Sequence, residues 1–585
     1  MTSAPSGREL TRVGRLARLG FREPARADVL LHDPALAGLT DPLEDVFDDG
    51  LVAALSSTAD PDRALLGLVR LMESLAALGA REDAAGVEER AADPAGLRAL
   101  LRTGGVVRDR LLAVLGASVA LGDHLARHPD DWTALESDGP SSVDELRADL
   151  VDAVRGSAGS PSSVAGHRHS AYDALRRSYR RRLLALAGRD LHSSDPAADL
   201  PEIARRLADL ADAAVGAALV IAEAEHPGSE ALCRLAVIGM GKLGGQELNY
   251  VSDVDVIFVA EPVEGVDEVT ALDAATRLAS SLMRACSAST AEGTLWPVDA
   301  ALRPEGKAGS LVRTLASHVS YYERWAKTWE FQALLKARPV AGDVALGERY
   351  VEAIGSLVWS STEREDFVAD VQAMRRRVEE HVPAADADRQ LKLGKGGLRD
   401  VEFSVQLLQL VHGRTDESLR SRTTLDALAA LSAGGYVARD DAASLDAAYR
   451  VLRCLEHRVQ LHRLRRTHLM PTSEDDLRWL GRSMGHRANP AHSVQGQWQR
   501  QAREVRRLHE GIFYRPLLAA VARLSSDDAK LSPEAARERL SALGFRDPGA
   551  AMRHIAALTE GVSRRAAMQR TLLPVMLGWF ADEAD

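Results

Sequence analysis

Aromatic side chains are scarce in this chain: Phe, Trp and Tyr together make up 4% of its 585 residues. An interior with so few rings must be filled by aliphatic side chains, and the wealth of Ala, Leu and Arg favours helix. Cysteine is rarer still. Cys233, Cys286 and Cys454 lie far apart without metal-ligand spacing, which fits small core residues in a reducing cytosol. The opening MTSAPSGREL lacks the apolar core of a signal peptide, and no apolar run is long enough to cross a bilayer. Positive charge is also in deficit, with 73 Lys and Arg against 84 Asp and Glu, a formal net charge of −11. That balance argues against nucleic acid or an anionic membrane as the general partner, while leaving room for a local basic groove. A G-x-x-x-x-G-K-[ST] phosphate loop is missing too. Together these absences predict a soluble cytoplasmic protein, large enough for several domains and mostly helical.

What is present is concentrated in residues 235–260, LAVIGMGKLGGQELNYVSDVDVIFVA. Leu235 to Met240 is a short apolar run with a β-branched centre, which predicts a buried strand. Gly239, Gly241, Gly244 and Gly245 follow, and glycines let backbone N–H groups approach a phosphate closely. A second strand begins at the acidic pair, where side chains repeating every second residue put Asp253 and Asp255 on one face. Two adjacent carboxylates repel unless a cation lies between them. Oxygen ligands at that spacing suit Mg²⁺, which prefers one or two carboxylates plus substrate phosphates. The combination points to metal-dependent phosphoryl or nucleotidyl transfer.

Gly244-Gly245 followed by Ser252-Asp253-Val254-Asp255 resembles the polymerase-β-type nucleotidyltransferases. The longer string GMGKLGGQELNYVSDVDVIF resembles one family among them, the bifunctional glutamine synthetase adenylyltransferase/adenylyl-removing enzymes. So do residues 111–132, 321–343 and 391–406. The resemblance implies a predominantly helical α+β fold: a polymerase-β-like nucleotidyltransferase domain with a small mixed sheet, flanked by helical bundles. It also implies a third carboxylate on a neighbouring strand, and Asp299 in WPVDAALRPEG occupies its place. Ala300-Ala301 departs from the family there, which usually carries a basic or polar residue ahead of Leu-Arg-Pro.

Along the chain, helical patterns fill the N-terminal region, residues 1–135. His124 and His128, at i and i+4, are expected to serve surface or packing roles. The nucleotidyltransferase-like domain is expected over 136–345. It includes a Gly/Ser-rich loop at 156–170, a helix whose Arg176, Arg177, Arg180, Arg181 and Arg182 face neighbouring acids, and a strand at 293–299. The stretch 321–343 predicts a helix running into a Gly-Asp turn, with Trp325 and Trp329 as a core stripe. A helical bundle is expected over 346–525, in which His457, His462 and His468 are structural. At its start LKLGKGGLRDVEFSVQ combines a strand-like beginning, a glycine turn and a helix N-terminus with nearby cations, a setting for an anion. Linker helices are expected over 526–585. Leu19-Gly20-Phe21-Arg22-Glu23-Pro24 returns as Leu543-Gly544-Phe545-Arg546-Asp547-Pro548, which predicts the opening of a second, truncated repeat.

The family's N-terminal half removes AMP from a tyrosine of glutamine synthetase. The resemblance therefore implies phosphorolysis, with phosphate in and ADP out. Asp253, Asp255 and Asp299 would hold Mg²⁺, and the Gly241, Gly244 and Gly245 backbone with Ser252 would fix the phosphate chain. Lys242 and Arg303 would offset the charge of the incoming phosphate, and Lys392 and Arg399 would complete the nucleotide pocket. Two rival readings remain at this point: ATP-dependent adenylylation by the same carboxylates, and a non-catalytic scaffold responding to the nitrogen-regulatory PII protein.

Overall fold

The computed structural model describes residues 12–39, 50–85, 93–137, 142–157, 164–363, 367–380, 382–383, 385–513 and 547–559, with Arg537 and Leu540. Residues 543–546 of the second copy of the six-residue repeat lie outside them. Helices dominate, and the strands form a small mixed sheet. No helix among the described residues is long and apolar enough to cross a membrane. The chain divides into two compact units, each assembled from separate stretches.

The first unit draws on residues 1–149, 176–210 and 454–497 and is helical. Its longest early helix, Pro61–Ala85, starts where Asp60 accepts the Arg63 N–H at 3.1 Å and Pro61 presets the first turn. Ala64, Leu65, Leu68, Leu71, Met72 and Leu75 then bury one face. Ser118 ends one helix and caps the next (Val119–Arg127), its hydroxyl accepting from Leu121 N–H and donating to the Leu461 carbonyl at 2.6 Å. His124 is buried against Asp131 at 2.9 Å, with the tilted His128 ring 5.1 Å away, so this pair serves packing. Burial lowers the His124 pKa despite that carboxylate. The arginine-rich stretch is balanced by acids: Arg177 meets Asp130 at 2.7 Å, Arg181 meets Asp131 at 3.5 Å, and Arg182 meets Asp149. Arg176 is buried. His462 stacks on Trp479, and His468 bonds Glu456 at 2.8 Å.

The second unit is built on a five-stranded sheet in the order β3-β2-β1-β5, with β4 also pairing β2. The strands are β1 (Cys233–Gly239), β2 (Val254–Pro262), β3 (Val298–Asp299), β4 (Val312–Arg313) and β5 (Arg338–Gly342). β1 runs antiparallel to β2 and β5, whereas β3 and β4 run parallel to β2. The central pair is apolar on both sides, with Ala236, Val237, Ile238, Val256, Ile257 and Phe258 fully buried. Burial on both faces is why β1 reads as a continuous apolar run rather than an alternation. The Glu268–Ser287 helix covers β1 and β2 with Ala271, Ala274, Ala275, Leu278 and Leu282.

Four local expectations fail here. The stretch 321–343 is two helices, Leu315–Arg324 and Thr328–Leu334, followed by β5. Arg338 precedes a proline and is driven extended, and Pro339 sits where the ladder with β1 shifts register. The helix breaks after Arg324 because the Glu330 carboxylate caps a new start, accepting the Lys327 N–H at 2.6 Å. Trp325 therefore leaves the expected core stripe and is 73% exposed. The strand expected at 293–299 is reduced to β3, and the basic start of 391–397 is a tight turn rather than a strand. The loop expected over 156–170 gives way to helix from Val164 onward.

Candidate functional site

Asp255 is the second residue of β2, and the parallel pairing with β3 sets it beside Asp299 in register. Asp253 lies just ahead of the strand, close enough for its charge to act on Asp255. Burial is the main force on Asp255. Lys392 opposes it, while the neighbouring carboxylates of Asp299 and Asp253 reinforce it, and the Asp255 pKa is pushed up to about 6. Asp299 is partly held by its own turn, accepting the Ala301 N–H at 2.8 Å.

The glycines after β1 divide into two kinds. Gly241 has φ +52°, and a Cβ there would stand 2.6 Å from Asp255 Oδ2. It thus lets the turn lie against the carboxylate in a left-handed conformation that other residues avoid. Gly241→Ala is expected to lower the thermal midpoint, through about 1–2 kcal/mol of backbone strain together with the forced shift of Asp255. Gly244 and Gly245 do something other than cradle phosphate. Their N–H groups donate to the Met240 and Gly241 carbonyls at 2.9 and 3.0 Å. A Cβ on Gly244 would meet the Lys336 carbonyl at 1.9 Å, so these positions serve close packing.

Asp255 opens into a cavity of ≈ 260 Å³ that Gly241, Lys242, Ser252, Lys392 and Arg399 also line. Six of the expected residues are therefore brought together at one cavity. Asp253, Asp299, Gly244 and Gly245 are not among its lining residues, and neither is Arg303. Its guanidinium donates to the carbonyls of Ala300, Lys307 and Gly309 at 2.8, 3.2 and 3.1 Å and braces the turn after Asp299. The nearby Glu305 pairs with Arg313 instead.

The loop that delivers Lys392 and Arg399 is closed on itself, with Leu398 and Arg399 N–H groups donating to the Leu391 and Lys392 carbonyls at 2.9 and 3.0 Å. Asp400, fully buried, accepts the Gly396 N–H at 2.6 Å and meets Arg375 at 2.5 Å and His509 at 3.3 Å. This cluster holds the loop from behind.

Residues without a motif complete the site. The Leu398–His412 helix points Arg399, Glu402, Phe403 and Gln406 at the cavity, a spacing of i, i+3, i+4, i+7. The Thr328–Leu334 helix and the residues just after it do the same with Trp329, Gln332, Ala333 and Lys336. Burial works against ionisation of Glu402. Arg399, Lys242, Lys336 and Lys392 outweigh it and bring its pKa down to about 2. Lys336 is itself buried against Glu247 and Thr424. The signal in the sequence is a polar residue recurring on an otherwise apolar helix face.

The donor set of Asp253, Asp255 and Asp299 is all oxygen, which fits a hard dication, and Asp255 gains its charge most readily beside one. No ready-made cluster of three metal-ligating side chains exists among the described residues. Mg²⁺ does not require one, since it commonly takes one or two carboxylates and completes its shell with substrate phosphates and water.

Residues 108–353 match the family model described as glutamate-ammonia ligase adenylyltransferase, and residues 372–513 match that of the GlnD PII-uridylyltransferases. The bifunctional glutamine synthetase adenylyltransferase/adenylyl-removing enzyme of Streptomyces avermitilis is 58% identical over 99% of this chain and 54% of its own length. Its counterpart in Streptomyces coelicolor is 57% identical over 99% of this chain and 55% of its own. That of Mycobacterium tuberculosis is 47% identical over 97% and 54%. The chain spans about half the length of these relatives. It belongs to the family of the bifunctional glutamine synthetase adenylyltransferase/adenylyl-removing enzymes.

Proposed function

We propose that this cavity transfers an adenylyl group at a tyrosine of glutamine synthetase, and that this chain works in the removing direction. Inorganic phosphate attacks the phosphorus of tyrosyl-AMP. The new P–O bond gives ADP, and the old P–O bond leaves its electron pair on the tyrosine phenolate, which takes a proton from water. The observation that carries the reading is Asp255, paired in register with Asp299, in a cavity that also holds Lys242, Lys392 and Arg399.

Asp253, Asp255 and Asp299 would hold Mg²⁺, which when bound neutralises charge on the phosphodiester and the departing phenolate. Lys242, Lys392 and Arg399 draw the incoming phosphate into the cavity and hold it. Ser252 donates its hydroxyl to the phosphate chain, and Gly241 lets the backbone lie close to it. Glu402 keeps the four surrounding cations from repelling one another when the cavity is empty. No side-chain nucleophile is needed, because positioning and electrostatics suffice for in-line transfer. The likeness of residues 372–513 to a PII-uridylyltransferase model supports a response of this site to PII.

The test is incubation with adenylylated glutamine synthetase, phosphate and Mg²⁺, with ADP followed by chromatography. ADP release is expected. Pyrophosphate formed from ATP and unmodified synthetase, without ADP release, would reverse the direction. Lys392→Ala is expected to raise the KM for phosphate about tenfold or more, the loss of one charge-assisted contact.

A further inference from the structure

Two buried amides in the cavity have no part in that chemistry. Gln332 and Gln406 are 4% and 7% exposed, and Gln332 Nε2 donates to Gln406 Oε1 at 2.7 Å. Each amide carries one more group. Gln332 Oε1 and Gln406 Nε2 have no partner among the described residues, and both side chains line the cavity. The mutual bond ties the two amides into one unit, with Gln332 as the donor and Gln406 as the acceptor. They offer the cavity one acceptor and one donor side by side.

Position along the helix strengthens the point. Gln406 lies seven residues beyond Arg399 on the same face, which is about 10 Å along the axis. That is close to the reach from the phosphate of an extended nucleoside monophosphate to the far edge of its base. Phe403, between Arg399 and Gln406 on the same helix, lines the cavity, and so does Trp329 from the Thr328–Leu334 helix. Adenine presents an N6–H donor beside an N1 acceptor, which complements Gln332 Oε1 and Gln406 Nε2 in that order.

We propose that Gln332 and Gln406 read the Watson–Crick edge of adenine and make the cavity selective for 6-aminopurine nucleotides. The inference rests on the cavity being the site of adenylyl transfer. Hypoxanthine is the probe that isolates it, because it has nearly the same size but reverses both positions, with an O6 acceptor and an N1–H donor.

Titration calorimetry of the 585-residue chain with ADP and with IDP tests this without requiring turnover. ADP is expected to bind about tenfold tighter or more, the effect of opposing two buried hydrogen-bonding groups. Gln406→Glu, nearly isosteric but unable to donate, is expected to bring the two affinities to within about twofold. Lys392→Ala, at the phosphate end, is expected to weaken both nucleotides and preserve their ratio. Equal affinities of the wild-type chain for ADP and IDP would overturn the assignment, and so would a Gln406→Glu variant, folded by circular dichroism, that keeps the preference. Absence of any nucleotide binding to the wild-type chain would instead sink the reading of the cavity as a site of adenylyl transfer.

Discussion

Asp255→Asn is expected to abolish ADP release, by about a hundredfold to a thousandfold, and to raise the thermal midpoint at pH 8. Both effects have one origin. The folded state pushes the Asp255 pKa from 3.8 up to about 6, chiefly by burial and then by the two adjacent carboxylates. A group whose folded pKa exceeds its unfolded value contributes stability at pH below the unfolded pKa and loses it as pH rises through the folded one. Asp255 therefore favours the fold below about pH 4, and its contribution is gone above about pH 6. At pH 8 the metal-free protein carries an ionised Asp255 at a cost on the order of 3 kcal/mol, two pKa units at 1.36 each. Asparagine keeps the shape and removes that cost. The same substitution removes the charge on which cation binding relies, worth several kcal/mol in the transition state. Magnesium sharpens the test: it should raise the midpoint of the wild type and leave that of the variant unchanged. Activity of the wild type should climb between pH 5 and 7 as Asp255 ionises. A variant that loses both activity and stability would mark Asp255 as a structural carboxylate, and one that keeps its activity would place the chemistry elsewhere.

The part of the site legible in the sequence is the part written in consecutive residues. The apolar run of β1, the turn glycines and the alternation around Asp255 lie within about 25 residues, so local pattern alone places two carboxylates at a strand start. Asp299 has no local signature. It becomes a neighbour of Asp255 only through a parallel pairing 44 residues away, and the resemblance, rather than periodicity, singled it out. Gly244 and Gly245 show how a correct motif can carry a mistaken role. The motif needs glycine there, but the reason is the Lys336 carbonyl, about 90 residues downstream, against which no Cβ fits. Arg303 fails similarly, because an arginine near a carboxylate is as well used in bracing three carbonyls of its own loop. The amide pair was invisible for a different reason: its partners are 74 residues apart, and each alone reads as an ordinary polar residue in a helix. Likewise β5 is hidden in a segment with helical composition, and only its pairing with β1 makes it a strand.

The second large effect lies behind the cavity wall. Arg375 and Asp400 are fully buried and 2.5 Å apart, and His509 stands 3.3 Å from the same carboxylate while bonding Ser404 at 2.9 Å. Burial raises the Asp400 pKa even with Arg375 beside it, so the fold retains this charge at some expense. What the expense secures is the Gly396 N–H, held at 2.6 Å, and with it the closed loop that carries Lys392 and Arg399. Arg375→Met is expected to destabilise the protein by about 3–5 kcal/mol, because it leaves a buried carboxylate without its countercharge. Asp400→Asn should cost a similar amount by stranding Arg375. The double variant should recover most of the loss, since an uncharged pair of similar volume carries no desolvation penalty. Urea denaturation of the four proteins measures the coupling. Stability and function should then separate. Although folded, the double variant has lost the charge-assisted hold on Gly396, so its KM for phosphate should stay raised severalfold while kcat changes less. If its KM returns to the wild-type value along with its stability, the cluster serves only to pack three helices, and the loop is positioned by its own backbone bonds.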